Sequence, residues 1–168
     1  EELFGYIYNF PIQMICMEKC DGTLDELFEK DLMTLENSSS MLMQIVMTVL
    51  IYQKMFKLTH SYLQTINIIN IKTQQIFLYY HFDSKVYKVP TFGKIYKIID
   101  FGRGVYHFNG HIFCSDSFAK DGDAVTQYNC EPFFNENRPT LEPNMSFDLC
   151  RGTSSIFDFV TDIDDDEN

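Results

Sequence analysis

The sequence predicts an α+β domain that is mainly helical, and three observations lead to that prediction. A run with apolar residues at helical spacing, from Met41 to Phe56, follows a cap-forming Asn-Ser-Ser-Ser stretch. Short β-rich segments separated by turn residues come next, at 76–80, 86–89 and 95–99. The chain has 168 residues, the size of one domain, so residues 1–168 are expected to share one core.

The first predicted elements are a strand and a short helix. Residues Gln13–Met17 form an apolar run after Pro11, a pattern that favours a buried strand. Asp21-Gly22 is a turn signal, and Thr23 is the expected N-cap of a short helix. The apolar face of that helix carries Leu24, Leu27 and Phe28.

The long helix is expected to be central, because apolar residues surround most of it. It is predicted to end near His60, and a polar, irregular stretch follows to Asn70. Residues 100–143 carry many Gly, Asn, Asp and Pro residues and are predicted to form one long loop. A last helix is predicted to start near Ser146, and the acidic end occupies 162–168.

Composition excludes several classes of partner. The formal net charge is −11 and no basic stripe is present, so neither nucleic acid nor an anionic membrane is an expected partner. The longest apolar stretch is interrupted by polar residues such as Gln44 and is too short to span a bilayer. Five scattered Cys residues favour reduced thiols and an intracellular, cytoplasmic location.

Three short segments stand out along the sequence. The first is Met17-Glu18-Lys19-Cys20-Asp21-Gly22, and the second is the stretch from His60 to Ile68, which follows the long helix. The third is Asp100-Phe101-Gly102, which follows a predicted strand. A carboxylate and an amide oxygen, here Asp100 and Asn67, are ligands that Mg²⁺ accepts beside phosphate groups.

In this order the three segments resemble the protein kinase fold. The match is to a C-lobe with its hinge strand and a β-hairpin, nearest to serine/threonine kinase-like proteins of large DNA viruses. The resemblance implies a hinge at about 13–22, a catalytic loop at 60–68, a D-F-G motif at 100–102 and an activation segment at about 100–143.

The resemblance also implies a set of roles. Met17 would be the gatekeeper, and the backbones of Glu18 and Cys20 would hydrogen-bond the adenine of ATP. Asn67 and Asp100 would hold Mg²⁺ for phosphoryl transfer from ATP to Ser or Thr of a protein substrate. His60 would be structural, and Asp148 would tie the catalytic loop to the last helix.

The departures from the family pattern concern catalysis. Tyr62 stands where kinases keep the catalytic Asp, and Gln64 stands where they keep Lys. No Gly-rich loop and no phosphate-pairing Lys is encoded, so the N-lobe is expected to be largely absent. Three interpretations follow: a kinase domain with impaired transfer, a pseudokinase that binds a protein partner through 100–143 and the acidic end, or an unrelated acidic interaction domain.

Overall fold

The structure is a computed structural model that describes residues 4–128 and 141–165. Its helices are α1 (Leu24–Glu29), α2 (Leu35–Phe56) and α3 (Phe147–Asp165). Its strands are β1 (Gly22–Thr23), β2 (Ile68–Lys72), β3 (Phe77–Phe82), β4 (Lys85–Pro90), β5 (Lys94–Ile98), β6 (Val105–Phe108) and β7 (His111–Cys114). All pairings are antiparallel: a sheet in the order β1-β2-β5 and two hairpins, β3–β4 and β6–β7.

The prediction of a mainly helical domain is wrong. Helices account for 34% of the structure and strands for 23%, in several small antiparallel sheets. Besides the two-residue β1, two strand regions were not predicted as such: β2 begins inside the stretch expected to be irregular, and β6–β7 lies inside the expected long loop. The three Ile residues of β2 and the Asn109-Gly110 turn between β6 and β7 are local signals that favour these strands.

The helix starts follow local capping rules. The Oγ1 of Thr23 accepts the backbone N–H of Glu26, which confirms Thr23 as the N-cap of α1. The N-cap of α2 is Thr34, not the Asn-Ser-Ser-Ser stretch, and its Oγ1 accepts the N–H of Asn37. Those serines lie inside α2, where the Oγ of Ser39 donates to a backbone carbonyl 2.9 Å away.

The main core lies between α1, α2 and the three-stranded sheet. Its buried apolar members are Leu24, Leu27, Met41, Ile45, Val49, Tyr52, Leu63, Ile68 and Tyr96. Gln44, fully buried on α2, joins helix to sheet: its Oε1 accepts the N–H of Tyr96 at 3.0 Å, and its Nε2 donates to the carbonyl of Lys94 at 3.2 Å. The helix therefore satisfies the open edge of β5 with one side chain.

The prediction of a buried hinge strand at 13–17 is also wrong. Residues 13–17 form no regular structure, and Met14 and Ile15 are 77% and 83% exposed. Regular pairing begins only at Asp21, whose N–H donates to the carbonyl of Asn70 at 2.9 Å. An apolar run becomes a strand only where another strand supplies partners for its N–H and C=O groups.

We expect the protein to lose stability in alkali partly through Tyr96. Burial raises the pKa of Tyr96 to about 12, against about 10 in an unfolded chain. The stabilisation is complete below pH 10 and is lost as the pH rises toward 12, because the unfolded chain ionises first. Tyr96→Phe should remove about 2 kcal/mol of that alkaline loss.

Urea unfolding at several pH values from 8 to 12, followed by circular dichroism, measures this difference. Tyr79→Phe is the control, because its ring is 57% exposed in the folded protein. A Tyr96→Phe variant with the same pH dependence as the Tyr79→Phe variant would refute the assignment.

Candidate functional site

One buried carboxylate organises the loop that follows α2. Asp148, in the first turn of α3, has no exposed surface. Its Oδ2 accepts the N–H of His60 at 2.8 Å and the hydroxyl of Tyr52 at 2.7 Å, and its Oδ1 accepts the N–H of Ser61 at 2.9 Å. Burial, and then the nearby Asp148 carboxylate, raise the pKa of Tyr52 far above its ordinary value, so that hydroxyl stays a donor.

His60 connects this loop to the segment after β5. The ring is fully buried, with Nε2 lying 2.9 Å from the carbonyl of Ile99 and Nδ1 lying 3.2 Å from the N–H of Tyr62. With these partners the ring donates from Nε2 to the carbonyl and accepts at Nδ1 from the N–H. The ring of Phe101 packs against His60, with centroids 4.7 Å apart. His60 is therefore structural, as the sequence predicts.

Asn67 and Asp100 come from adjoining ends of paired strands. β2 begins after Asn67 and β5 ends at Ile98, and Ile68 lies opposite Ile98. The carbonyl of Asn67 accepts the N–H of Ile99 at 3.0 Å, so its backbone lies beside the residue that precedes Asp100. The Nδ2 of Asn67 donates to the carbonyl of Tyr62 at 2.8 Å, which leaves the side-chain oxygen as the acceptor.

Asp100 combines a left-handed backbone conformation with an exposed carboxylate. Its φ of 63° lies in the left-handed region, which is uncommon for a residue with a side chain. It is exposed, and its Oδ1 accepts only a long contact, 3.4 Å, from the N–H of Gly102. The carboxylate is thus available to a cation.

These two donors fit part of the coordination shell of Mg²⁺. Asn67 supplies one amide oxygen and Asp100 one carboxylate, and Mg²⁺ is commonly held by one or two protein oxygens together with substrate phosphates. No group of three or more His, Cys, Asp or Glu residues that could hold a metal occurs in the described ranges, 4–128 and 141–165. Two protein oxygens would leave the remaining positions around a Mg²⁺ ion to water or phosphate.

Tyr62 fills the position that follows Ser61 in the same loop. The guanidinium of Arg103 lies 4.0 Å from the centroid of its ring, a cation–π geometry. A tyrosine hydroxyl, with a reference pKa of ~10, is a poor proton acceptor near neutral pH. The structure thus places a neutral aromatic ring under a cation where the resemblance calls for a general base.

The proposed adenine-contacting residues lie in the irregular segment before β1. Met17 is 73% exposed and Cys20 is partly buried, while the carboxylate of Glu18 pairs with the ammonium of Lys97 on β5. The Cys20 thiol donates to the carbonyl of Glu18 at 3.9 Å. The segment therefore touches the sheet that carries Asn67 and Asp100, although Met17 is not packed as a gatekeeper would be.

The described part of the predicted activation segment folds back onto the loop. Val105 and Thr59 exchange two backbone hydrogen bonds, at 2.8 and 2.9 Å. A second apolar cluster underlies the segment, made of Val105, Phe118, Ala124, Tyr128 and Leu141. Residues 129–140 of the predicted activation segment lie outside the described residues, as do 166–168 of the acidic end.

The sequence did not predict which residues of the activation segment attach it to the loop after α2. Arg103, Asp123 and Gln127 were not singled out, because no motif contains them and their contacts span 20 residues or more of sequence. The only available signal was Arg103 itself, a cation directly after Phe101-Gly102 in an acidic chain.

Comparison with known proteins adds no identification. No protein-family model matches this sequence, and no curated protein matches it at a significant level. Within the described residues, no helix has the length and apolar character needed to cross a membrane.

Proposed function

We propose that this chain is a protein kinase-like domain that keeps the framework of a catalytic loop, does not transfer phosphate, and functions by binding a protein partner. The observation that carries the proposal is the set of contacts around Asp148 and His60. One carboxylate holds the backbone of His60 and Ser61, and the His60 ring reaches the carbonyl just before Asp100. This arrangement is the one that the kinase resemblance implies for these two segments.

The proposed loss of catalysis rests on the residue at position 62. In a kinase the residue there orients the substrate hydroxyl and accepts its proton, and loss of a general base costs typically ~10²–10⁴ in rate. A tyrosine hydroxyl is a much weaker base than a carboxylate, so Tyr62 does not replace the missing Asp. Gln64 adds no charge that could replace the missing Lys.

A second candidate is Mg²⁺- and ATP-dependent phosphoryl transfer to protein Ser or Thr at a reduced rate. The specific observation that favours it is the pair of oxygen donors, Asn67 and Asp100, on adjoining strand ends. When bound, Mg²⁺ with ATP would supply charge neutralisation at the transferred phosphate. Asn67 would orient an amide oxygen, fixed by its bond to the Tyr62 carbonyl, and Asp100 a carboxylate.

A phosphoryl-transfer assay separates the two candidates. We expect the wild-type chain, with radiolabelled ATP, Mg²⁺ and a mixed Ser/Thr peptide library, to give no more transfer than the Asp100→Ala variant. Tyr62→Asp should stay at the same background, and Tyr62→Phe is the control for loss of the hydroxyl. Transfer by the wild type that disappears in Asp100→Ala would establish an enzyme and overturn the proposal, whereas transfer gained only by Tyr62→Asp would locate the loss of catalysis at position 62.

Binding of Mn²⁺ and ADP tests the resemblance to kinases without a measurement of catalysis. Mn²⁺ together with ADP should broaden the nuclear magnetic resonance signals of the Asn67 side-chain amide and the Gly102 N–H, because both lie beside the two donors. Asp100→Ala should abolish that broadening while the circular dichroism spectrum stays unchanged. Broadening that is absent, or that persists in Asp100→Ala, would remove the kinase-like interpretation of the site.

A further inference from the structure

Arg103 joins the catalytic-loop segment to the chain that follows it. Its guanidinium lies over the ring of Tyr62, its Nη2 donates to Oδ2 of Asp123 at 3.0 Å, and its Nη1 donates to Oε1 of Gln127 at 3.3 Å. The Arg103 side chain is 21% exposed, whereas that of Asp123 is 68% exposed. Arg103 is thus partly buried, with one partner in the loop and two in the later segment.

A second contact runs in parallel with Arg103. The Nε2 of Gln127 donates to the carbonyl of Ser61 at 2.6 Å, next to Tyr62. Gln127 therefore hydrogen-bonds both Arg103 and the loop, and links the two. Hydrogen bonds from Ser117 and then from Arg103 lower the pKa of Asp123, which keeps its carboxylate charged as the partner of the guanidinium.

The turn that presents Asp123 is itself tightly constrained. The N–H of Ala124 donates to the carbonyl of Ser117 at 2.9 Å, and Gly122 sits so close that a Cβ there would lie 2.2 Å from the same oxygen. Phe118 and Tyr128 on either side pack edge to face, with centroids 5.1 Å apart. Residues 116–128 therefore form a preorganised unit that is attached to the loop through Arg103 and Gln127.

We propose that Arg103 is a positioning residue that fixes residues 116–128 against the loop at 60–62 and closes the space beside Tyr62. The meaning of this closure rests on the proposed function, because in a kinase that space receives the phosphoacceptor hydroxyl. The closure uses only side chains of the chain itself, so it requires no phosphorylated residue in the segment. The folded chain would then exclude a substrate hydroxyl from the space beside Tyr62 at all times.

Amide hydrogen exchange on the full chain tests the attachment. In Arg103→Ala we expect about tenfold faster exchange in 116–128 and in 60–64, because the cation–π contact and two hydrogen bonds are lost together. Exchange in β2 to β5 should stay unchanged. Arg151→Ala, which removes an exposed arginine of α3, is the matched control and should leave both regions as in the wild type.

Nitration of tyrosine, located by mass spectrometry, tests the closure. Tyr62 should react several-fold faster in Arg103→Ala than in the wild type, relative to the exposed Tyr79 as internal reference. Unchanged exchange and unchanged nitration would overturn the role of Arg103, even if the wild type proves inactive. Conversely, phosphoryl transfer by the wild type would overturn the proposed function, whereas these two readouts would still report the Arg103 contacts.

Discussion

Asp148→Ala is expected to destabilise the protein by about 4 kcal/mol, the largest effect of any single substitution considered. The alanine leaves three buried donors without an acceptor, the backbone N–H groups of His60 and Ser61 and the hydroxyl of Tyr52. Each such group costs about 1–3 kcal/mol when it stays buried and unpaired. Because domains have only about 5–15 kcal/mol of stability, the alanine variant could fail to fold.

Urea unfolding, followed by circular dichroism because the chain has no Trp, measures this loss. Asp148→Asn provides the milder variant: one acceptor oxygen remains, but the amide N–H₂ then faces a donor, so an intermediate loss is expected. Glu29→Ala, at an exposed carboxylate of α1, is the control and should change the unfolding free energy by less than about 0.5 kcal/mol. If Asp148→Asn unfolded at the wild-type urea concentration, Asp148 would not organise the loop.

Gln44→Leu is expected to destabilise the protein by about 2–4 kcal/mol, even though leucine suits the apolar core around it. The substitution removes the acceptor of the Tyr96 N–H and the donor to the Lys94 carbonyl. Both backbone groups lie on the edge of β5 that faces α2, where no strand replaces the lost bonds in the described residues. A hydrophobic gain of one side chain does not offset two unpaired backbone groups.

The same urea experiment measures this effect, with exposed Gln74→Leu as the control for adding an apolar side chain. Gln44→Glu keeps the acceptor for Tyr96 but sets a carboxylate oxygen against the Lys94 carbonyl, so it should also destabilise. A Gln44→Leu variant as stable as the wild type would mean that water reaches this edge of β5.

Features with a local cause were predicted well. Thr23 caps α1 because a side-chain oxygen and an N–H three residues later suffice. The turn at Asp83-Ser84, with both residues at positive φ, joins β3 and β4 as its composition predicts. The long helix was found by its spacing, with its start misplaced by a few residues because Thr34 competes with four other capping residues.

Features that need a partner were predicted poorly. The apolar run at 13–17 lacks a neighbouring strand among the described residues and stays exposed, whereas β2, with Ile68, Ile69 and Ile71, pairs with β1 and β5 along both of its edges. The hairpin β6–β7 was missed although its signal is local, because Asn109-Gly110, both at positive φ, joins two segments rich in aromatic and β-branched residues. Pairing therefore decided the outcome at 13–17, whereas propensity already favoured β2 and β6–β7.

For the candidate site, the sequence by itself determined which side chains are present: a His at 60, a Tyr at 62, an amide at 67 and a carboxylate at 100. Only the tertiary structure decided that Asp148, 88 positions from His60, holds that loop, and that Arg103 lies over Tyr62. The physical reason is that a buried charge and a cation–π contact have no sequence period. Their energy depends on distances and burial that exist only after the strands have paired.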